Sequence, residues 1–401
     1  MPDSPISVDV LILGASAAGL MCAIEAAKRQ RHVLVLDHAN KAGKKILMSG
    51  GGRCNFTNYD VGAEHYISNN PHFCKSALSR FTQWDFIQIV DQYQIAFHER
   101  EHGQLFCDNS ARDILNMLLS ECQKYKVDIQ LDTTINNIRL ETDGQFFINA
   151  LSQTKSIDIS CQSLVVATGG LSIPKMCASP IGYRIAEQFD IQVKPTRAGL
   201  VPFTLQSEDK SRFSQLSGIA VHAVVSNDRQ QFRENILFTH RGLSGPAILQ
   251  ISSYWVAGES ISINLLPDNN LEKLVNDARK NFPDRKLKTV LSQLLPKRLI
   301  SVFVASALLE SRLQHLTQSD IKNIADTLHR WSVKPSGTEG YRTAEVTLGG
   351  IDCDALSSKT LEAKKIKGLY FVGEVVDVTG WLGGYNFQWA WSSGWCAGQY
   401  V

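Results

Sequence analysis

Apolar residues follow two rhythms along this chain, short continuous runs and helical repeats, and their alternation predicts the architecture. The run Val8–Leu13 has the character of a buried strand. A small-residue turn, Gly14-Ala15-Ser16-Ala17-Ala18-Gly19, ends it, an alanine-rich helix follows, and a second apolar run stops at Asp37. From Phe73 to Tyr93 apolar positions recur at helical spacing, at Phe73, Ala77, Leu78, Phe81, Phe86, Ile87 and Val90. Ile114, Leu115, Leu118 and Leu119 mark another helix over Ala111–Tyr125, with Asn109 or Ser110 as its cap. Strand-like runs then crowd together at Val127–Leu131, Ile135–Glu141, Phe146–Leu151 and Ser156–Ser160. They lead into a buried strand from Ser163 that stops at Thr168-Gly169-Gly170, and a helix from Gly182 to Phe189 closes the region.

At Pro195 the pattern changes. Strands (Val201–Leu205, Ile219–Val225, Ile236–Thr239, Ile261–Leu265) now precede a block of helices (Leu271–Asn281, Leu287–Leu295, Ile300–Leu313, Asp320–Trp331). Segregation of this kind predicts a separate α+β unit. The segment His240-Arg241-Gly242-Leu243-Ser244-Gly245-Pro246-Ala247 reads as a turn or as a helix start, with Ser244 as cap and Pro246 in the first turn. Beyond Thr343 the earlier style returns: a buried strand at Leu369–Val372, then Gly373-Glu374, a glycine-rich turn, and a terminal helix beginning near Tyr385. The expected organisation is an α/β domain with a β-meander over 1–194, an insert over 195–342, and completion of the first domain by 343–401.

Bulk properties narrow the picture. A 44% hydrophobic and 20% charged composition suits a soluble globular enzyme. The formal net charge of +2 gives no reason to expect a nucleic acid or an anionic membrane as partner. Lys273, Arg279, Lys280, Arg285, Lys286, Lys288, Lys297 and Arg298, in the helical block, read as a solvated face balanced by nearby acids. The apolar stretch from Val8 to Ala27 lacks a basic flank and is broken by Gly14 and Gly19, which argues against a signal peptide or membrane span. Nine cysteines without a C-x-x-C pair suggest reduced thiols in the cytoplasm, and no His/Cys spacing suits a metal.

Two stretches carry candidate chemistry. The turn Gly14-x-Ser16-x-x-Gly19 lies between strand and helix, with Asp37 about twenty residues beyond; that context fits a dinucleotide pyrophosphate over the helix N-terminus and a ribose hydroxyl on the acid. Ser16 stands where glycine is usual. The second stretch is Ser49-Gly50-Gly51-Gly52-Arg53-Cys54-Asn55-Phe56-Thr57-Asn58, read as irregular backbone wrapped around a ligand rather than a free loop.

Together with VVATGG, LFTHRGLSGPAIL, AEVTLGGID and GLYFVGEVVDVTGWLGGYNFQWAWSSG, these stretches resemble the blocks of the YhiN/BaiN-like FAD-dependent flavoproteins, some of them catalogued as aminoacetone oxidase family enzymes. The resemblance covers nearly the whole chain and implies a glutathione-reductase-type FAD domain interrupted by a β-barrel-like and helical insert. It implies FAD contacts from Gly14, Ser16, Ala17, Ala18 and Gly19 to the pyrophosphate, Asp37 to the ribose, and Ile135 to the adenine. Lys45, Gly51, Gly52, Arg53, Cys54, Asn55 and Thr57 would wrap the phosphates and approach the flavin. Thr168, Gly169, Gly373 and Glu374 would complete the middle of the site. Gly384, Tyr385, Asn386 and Gln388 would bring a helix N-terminus to the flavin's pyrimidine end. The expected function is hydride transfer through flavin N5 to or from a small molecule bound between the FAD domain and the insert, with NAD(P)H as a transient co-substrate. Cys54, His240 and Tyr385 are the candidate catalytic side chains. The rival readings are a flavin-dependent RNA-modifying enzyme and a non-catalytic flavin-binding protein. Nothing in the sequence sets the oligomeric state.

Overall fold

The N-terminal apolar run becomes β1 (Ile6–Leu13), which leads through a turn into α1 (Ala17–Lys28) and back along β2 (Val33–Leu36). β1 pairs in parallel with β2 on one side and with the strand Lys155–Val166 on the other. The sheet continues, still parallel, from β2 to Asp128–Gln130 and from Leu164–Val166 to Leu369–Phe371. Val10, Leu11, Ile12 and all of β2 are buried, the uninterrupted apolar pattern of a parallel sheet covered on both faces. The structure, a computed structural model, describes residues 5–401. The chain divides into two compact units, one of residues up to Arg197 together with Val346–Val401, the other Ala198–Glu345.

In the first unit α1 is buried from Ala17 to Ala27, because the C-terminal helix Tyr385–Gly398 lies against its outer side. Two glycines permit this approach: a Cβ on Gly394 would stand 2.4 Å from the Ala18 carbonyl oxygen, and one on Gly398 2.5 Å from Glu25 Cβ. The meander Thr133–Leu140 and Phe146–Ser152 pairs antiparallel onto the first part of Lys155–Val166. That strand is continuous, where the sequence suggests a run to Ser160 and a second from Ser163. The helical pattern over 73–93 is likewise two helices, Cys74–Arg80 and Gln83–Gln92. The chain turns extended at Phe81, and Thr82 restarts it through reciprocal bonds with Asp85, whose Oδ2 accepts from Thr82 N at 2.7 Å.

The second unit is built on an antiparallel sheet. Its strands run in the order Trp331–Val333, Ile261–Asn264, Ala220–Ser226, Gln231–Phe238, Gly242–Ser244, Phe203–Thr204 and Gly337–Thr338. The helix that follows Ser244 is capped by Gly245 (φ +90°), with Pro246 in its first turn; Ser244 belongs to a strand and is not the cap. The helical block holds Leu271–Asn281, Leu287–Leu291, Lys297–Phe303, Ser306–Glu310 and Gln318–His329, so the single helix expected over 300–313 is broken at Val304 and Ala305. Among the described residues no helix is long and apolar enough to cross a membrane.

Candidate functional site

Gly14 ends β1 at φ +117°, and a Cβ there would lie 2.3 Å from the carbonyl oxygen of Ala167. The turn is thereby pressed against the glycine-rich end of the strand Lys155–Val166. Gly19 closes the other side, since its Cβ would sit 1.9 Å from the Gly14 carbonyl oxygen. Ser16 occupies the cap position of α1 in extended conformation, and its hydroxyl makes no cap hydrogen bond. The first internal bond of α1 runs from Leu20 N to Ser16 O (2.8 Å), which leaves the preceding N–H groups of Ala17, Ala18 and Gly19 without helical acceptors. Asp37 fixes the turn from below: its Oδ2 accepts from Ala15 N and its Oδ1 from Ala39 N, each at 2.8 Å. The backbone of the 132–133 segment bonds to Ala39 and Asp37, and Ile135 follows in the strand Thr133–Leu140, paired with Ala150.

A second set of residues converges on Glu374. Lys45, in α2 (Lys44–Gly52), donates to Glu374 Oε2 (2.6 Å) and to Ser172 Oγ (2.7 Å). Ser172 Oγ donates to Glu374 Oε1 (3.0 Å), which also accepts from Thr347 N (3.0 Å). Thr347 Oγ1 accepts from the N–H groups of Leu171 and Ser172. Side chains and backbone separated by hundreds of positions thus fix a half-buried ion pair. Gly373 adjoins α1, where a Cβ would come within 2.8 Å of Ala18 Cβ, and Gly169 lies next to the Glu374 carboxylate. Ser172 and Thr347 were not singled out in the sequence, because a serine and a threonine acquire meaning only from the lysine and glutamate they hold; the one signal was Thr347 within AEVTLGGID.

The helix of α2 ends at Met48, and the chain then runs through left-handed Gly50, Gly51 and Gly52 (φ +56°, +65° and +87°). Regular structure returns sooner than the sequence suggests: β3 (Asn55–Asn58) pairs antiparallel with Gln104–Cys107. Gly51 and Gly52 have no atom within 4 Å of an ideal Cβ position, and Arg53 is exposed. At the C-terminal helix, Gly384 (φ +95°) caps the first turn and abuts the Thr57 carbonyl oxygen. The Asn55 amide fits with its oxygen accepting from Gly384 N and its nitrogen donating to the Thr57 and Leu105 carbonyls.

With Asn55, four of the predicted cofactor contacts have side chains engaged by the scaffold. Gln388 is fully buried, accepting from Thr57 Oγ1 (2.6 Å) and donating to Ser392 Oγ and Phe81 O, so the side chains of both Gln388 and Thr57 are engaged. Asn386 pairs with both backbone groups of Gly380 at 2.8 Å and pins the turn before the helix. The catalytic candidates also separate. Cys54 is fully buried, with its thiol pushed well above the ordinary range by burial, which removes it as a nucleophile. His240 is exposed in the turn after Gln231–Phe238, in the second unit. Tyr385 is buried in the first turn of the C-terminal helix, its ring 4.7 Å from that of His65. Burial first, then the charges of Asp60 and Glu64, push its phenol up to about 12.

These features suit a dinucleotide. The α1 N-terminus offers N–H groups and a positive dipole end, the space beside Gly51 and Gly52 is open, and Thr168 Oγ1 is buried with no partner. The pattern of the HI0933-like protein Rossmann domain family matches residues 8–400. Over 393 residues the chain is 53% identical to a ribosomal RNA dihydrouridine synthase of Escherichia coli (strain K12), covering 98% of this chain and 97% of that protein. It is 50% identical over 386 residues to the ribosomal RNA dihydrouridine synthase of Haemophilus influenzae (strain ATCC 51907 / DSM 11121 / KW20 / Rd), with 96% of each covered. Among solved structures, the 3-ketosteroid-delta4-(5alpha)-dehydrogenase of Rhodococcus jostii RHA1 shares the fold, with a TM-score of 0.52, 13% identity, and 99% of this chain and 98% of that one covered.

The two half-identical relatives overturn two expectations from the sequence, that the substrate is a small molecule and that no nucleic acid is a partner. The net charge misled because it averages unlike parts. Residues 198–345 carry 18 Lys and Arg against 14 Asp and Glu, and the rest of the chain 23 against 25. The fold is mixed α/β with a parallel Rossmann-like sheet, of the type found in FAD-binding oxidoreductases, and the chain belongs to the HI0933-like protein Rossmann domain family.

Proposed function

We propose that this protein reduces a uridine of ribosomal RNA to dihydrouridine, with FAD held in the first unit and a nicotinamide nucleotide supplying the electrons. The observation that carries this reading is identity of 53% and 50%, over nearly the full length, to two proteins named for that activity. Nine free cysteines fit a reducing, cytoplasmic setting.

The chemistry sets the requirements. In uracil, C6 lies β to the C4 carbonyl and is the electrophilic end of the double bond, so hydride enters at C6 and a proton is added at C5. Bound FAD would supply the hydride, and NADH or NADPH would restore the two electrons. The chain's own residues do the rest. The N–H groups of Ala17, Ala18 and Gly19 would face the pyrophosphate, and the Lys45–Glu374 pair would hold the adjoining part of the cofactor by fixed hydrogen-bonding groups. The N-terminus of Tyr385–Gly398 presents a positive dipole end that stabilises anionic character. Of the candidate catalytic side chains we retain Tyr385: with its phenol held at about 12 it keeps its proton at neutral pH, and so serves as a hydrogen-bond donor, not a base.

The test is to incubate the purified yellow protein with in vitro-transcribed 16S and 23S ribosomal RNA and NADH or NADPH, then digest the RNA and weigh its nucleosides. A uridine heavier by two hydrogens supports the reading. A flavin bleached by the nicotinamide with no dihydrouridine in either RNA defeats it. Tyr385→Phe is expected to lower turnover by about tenfold with flavin content unchanged, the scale of one lost hydrogen bond.

A further inference from the structure

We infer that the turn joining the helices Leu271–Asn281 and Leu287–Leu291 in the second unit is a docking face for single-stranded or looped RNA. The inference rests on the RNA-modifying function proposed above, and identifies where on this chain the polymer is gripped.

Charge is the first observation. Residues 271–334 hold 12 Lys and Arg against 6 Asp and Glu, and from Arg285 to Leu309 there are five cations and no acid. The balance expected from the sequence therefore fails locally. The two acids at and beside the turn, Asp284 and Glu310, are already shared. Glu310 accepts from both Lys286 and Lys288, which together hold its carboxyl down at about 2, and Asp284 accepts from Arg312 (2.9 Å) and Gln314 (3.1 Å). Lys280 has no ion-pair partner among the described residues, Arg279 bonds only the neutral Asn276 side chain and the Leu316 carbonyl, and Arg285 lies on a ring rather than an acid. Pairing leaves an excess of positive charge at this one turn.

The second observation is an aromatic platform. Phe282 is 50% exposed at the tip of the turn, and the Arg285 guanidinium lies 4.0 Å from its ring centroid. A phenylalanine half in water contributes little to a core, whereas an exposed ring with a flat cation beside it is the arrangement on which unpaired bases stack. The platform is also held in place. Leu287 N bonds Ser311 O (3.1 Å), Leu313 N bonds Arg285 O (2.9 Å) and Gln314 N bonds Pro283 O (3.0 Å), so the turn is tied along its length to the 311–314 segment that carries Arg312. Cations alone would suit any polyanion, including an acidic protein. The ring selects a partner with flat faces, and a base that must be presented unpaired for reduction comes from RNA that is not in a helix.

The experiment compares the holoprotein with Phe282→Ala, Phe282→Trp and Lys280→Ala/Arg285→Ala, reading affinity for in vitro-transcribed 16S and 23S ribosomal RNA by electrophoretic shift between 50 and 200 mM salt. All substituted side chains lie at the surface, and flavin content and melting temperature serve as folding controls. Phe282→Ala is expected to weaken binding about tenfold or more and Phe282→Trp to restore it. The double substitution is expected to reduce the slope of log affinity against log salt by about 1.4, two single-strand phosphate contacts. Affinity and slope within twofold of wild type in all variants overturn the inference. So does an equal loss of binding to polyglutamate with no effect of Phe282→Ala, which would assign the face to an acidic protein. Binding needs no electron donor, so rRNA held through this face without dihydrouridine formation would sink the proposed activity and leave the docking face standing.

Discussion

Cys54 and Cys177 illustrate how little residue type alone settles. Cys54 sits in the most conspicuous loop of the sequence yet is wholly enclosed, while Cys177, in an unremarked loop, is the one cysteine of nine that is not buried and accepts a hydrogen bond from Lys44 (3.2 Å). Brief treatment of the native protein with iodoacetamide should therefore modify one thiol, and Cys177→Ser should abolish the reaction; labelling of Cys54 in folded protein would contradict its burial. The glycines divide in the same way. Gly14→Ala drives a methyl into the Ala167 carbonyl and should cost roughly 1–3 kcal/mol or more, read as a lower melting temperature. Gly51→Ala meets nothing in the protein and should cost about 1 kcal/mol for its left-handed backbone, so a large loss of FAD affinity there would report the cofactor itself. Lys45→Met leaves the Glu374 carboxylate with only Ser172 and Thr347 as donors, and should lower stability by about 1–3 kcal/mol together with flavin retention in a desalting assay.

At the level of elements, the apolar rhythm was readable wherever burial is continuous. β1, β2 and the helix Leu271–Asn281 stand where the pattern puts them, because each has one face or all faces in a core. Rhythm does not report interruptions. Phe81 keeps its place in the helical repeat over 73–93 while Thr82 and Asp85 break the helix behind it, and a polar stretch at Ser160–Ser163 reads as a gap although β1 pairs along it. The helix Gln318–His329 carries a titratable feature of its own. His329 is held below the ordinary histidine value by burial first and Arg330 second, with Nδ1 placed 3.0 Å from Asn264 Oδ1. The unfolded chain therefore takes up this proton before the folded one. The contribution is intact above about pH 6.5 and is lost progressively as pH falls below that value. Urea midpoints measured from pH 7.5 to 5 should fall with acidification, and His329→Gln should flatten the lower part of that curve.

For the whole molecule, the glycine turns of the candidate site were legible from sequence because backbone geometry demands them: Gly14, Gly19, Gly373 and Gly384 each stand where a Cβ has no room. What lies between those turns was not: long-range partners such as Ser172 and Thr347 meet Glu374 only in the folded chain, and a net charge of +2 hides a positively charged segment inside a nearly neutral total. The strand Lys155–Val166, which gives one part of its length to the meander and its last residues to Leu369–Phe371, has a further consequence during synthesis. The partner of Leu164–Val166 is made some two hundred residues later, on the order of ten to forty seconds at ordinary translation speeds. Until it arrives the central sheet ends in a bare, fully apolar edge, open to pairing with another nascent chain. The last sixty residues therefore act as an internal seal, and a message truncated before Leu369 should yield a product that aggregates rather than a smaller folded protein.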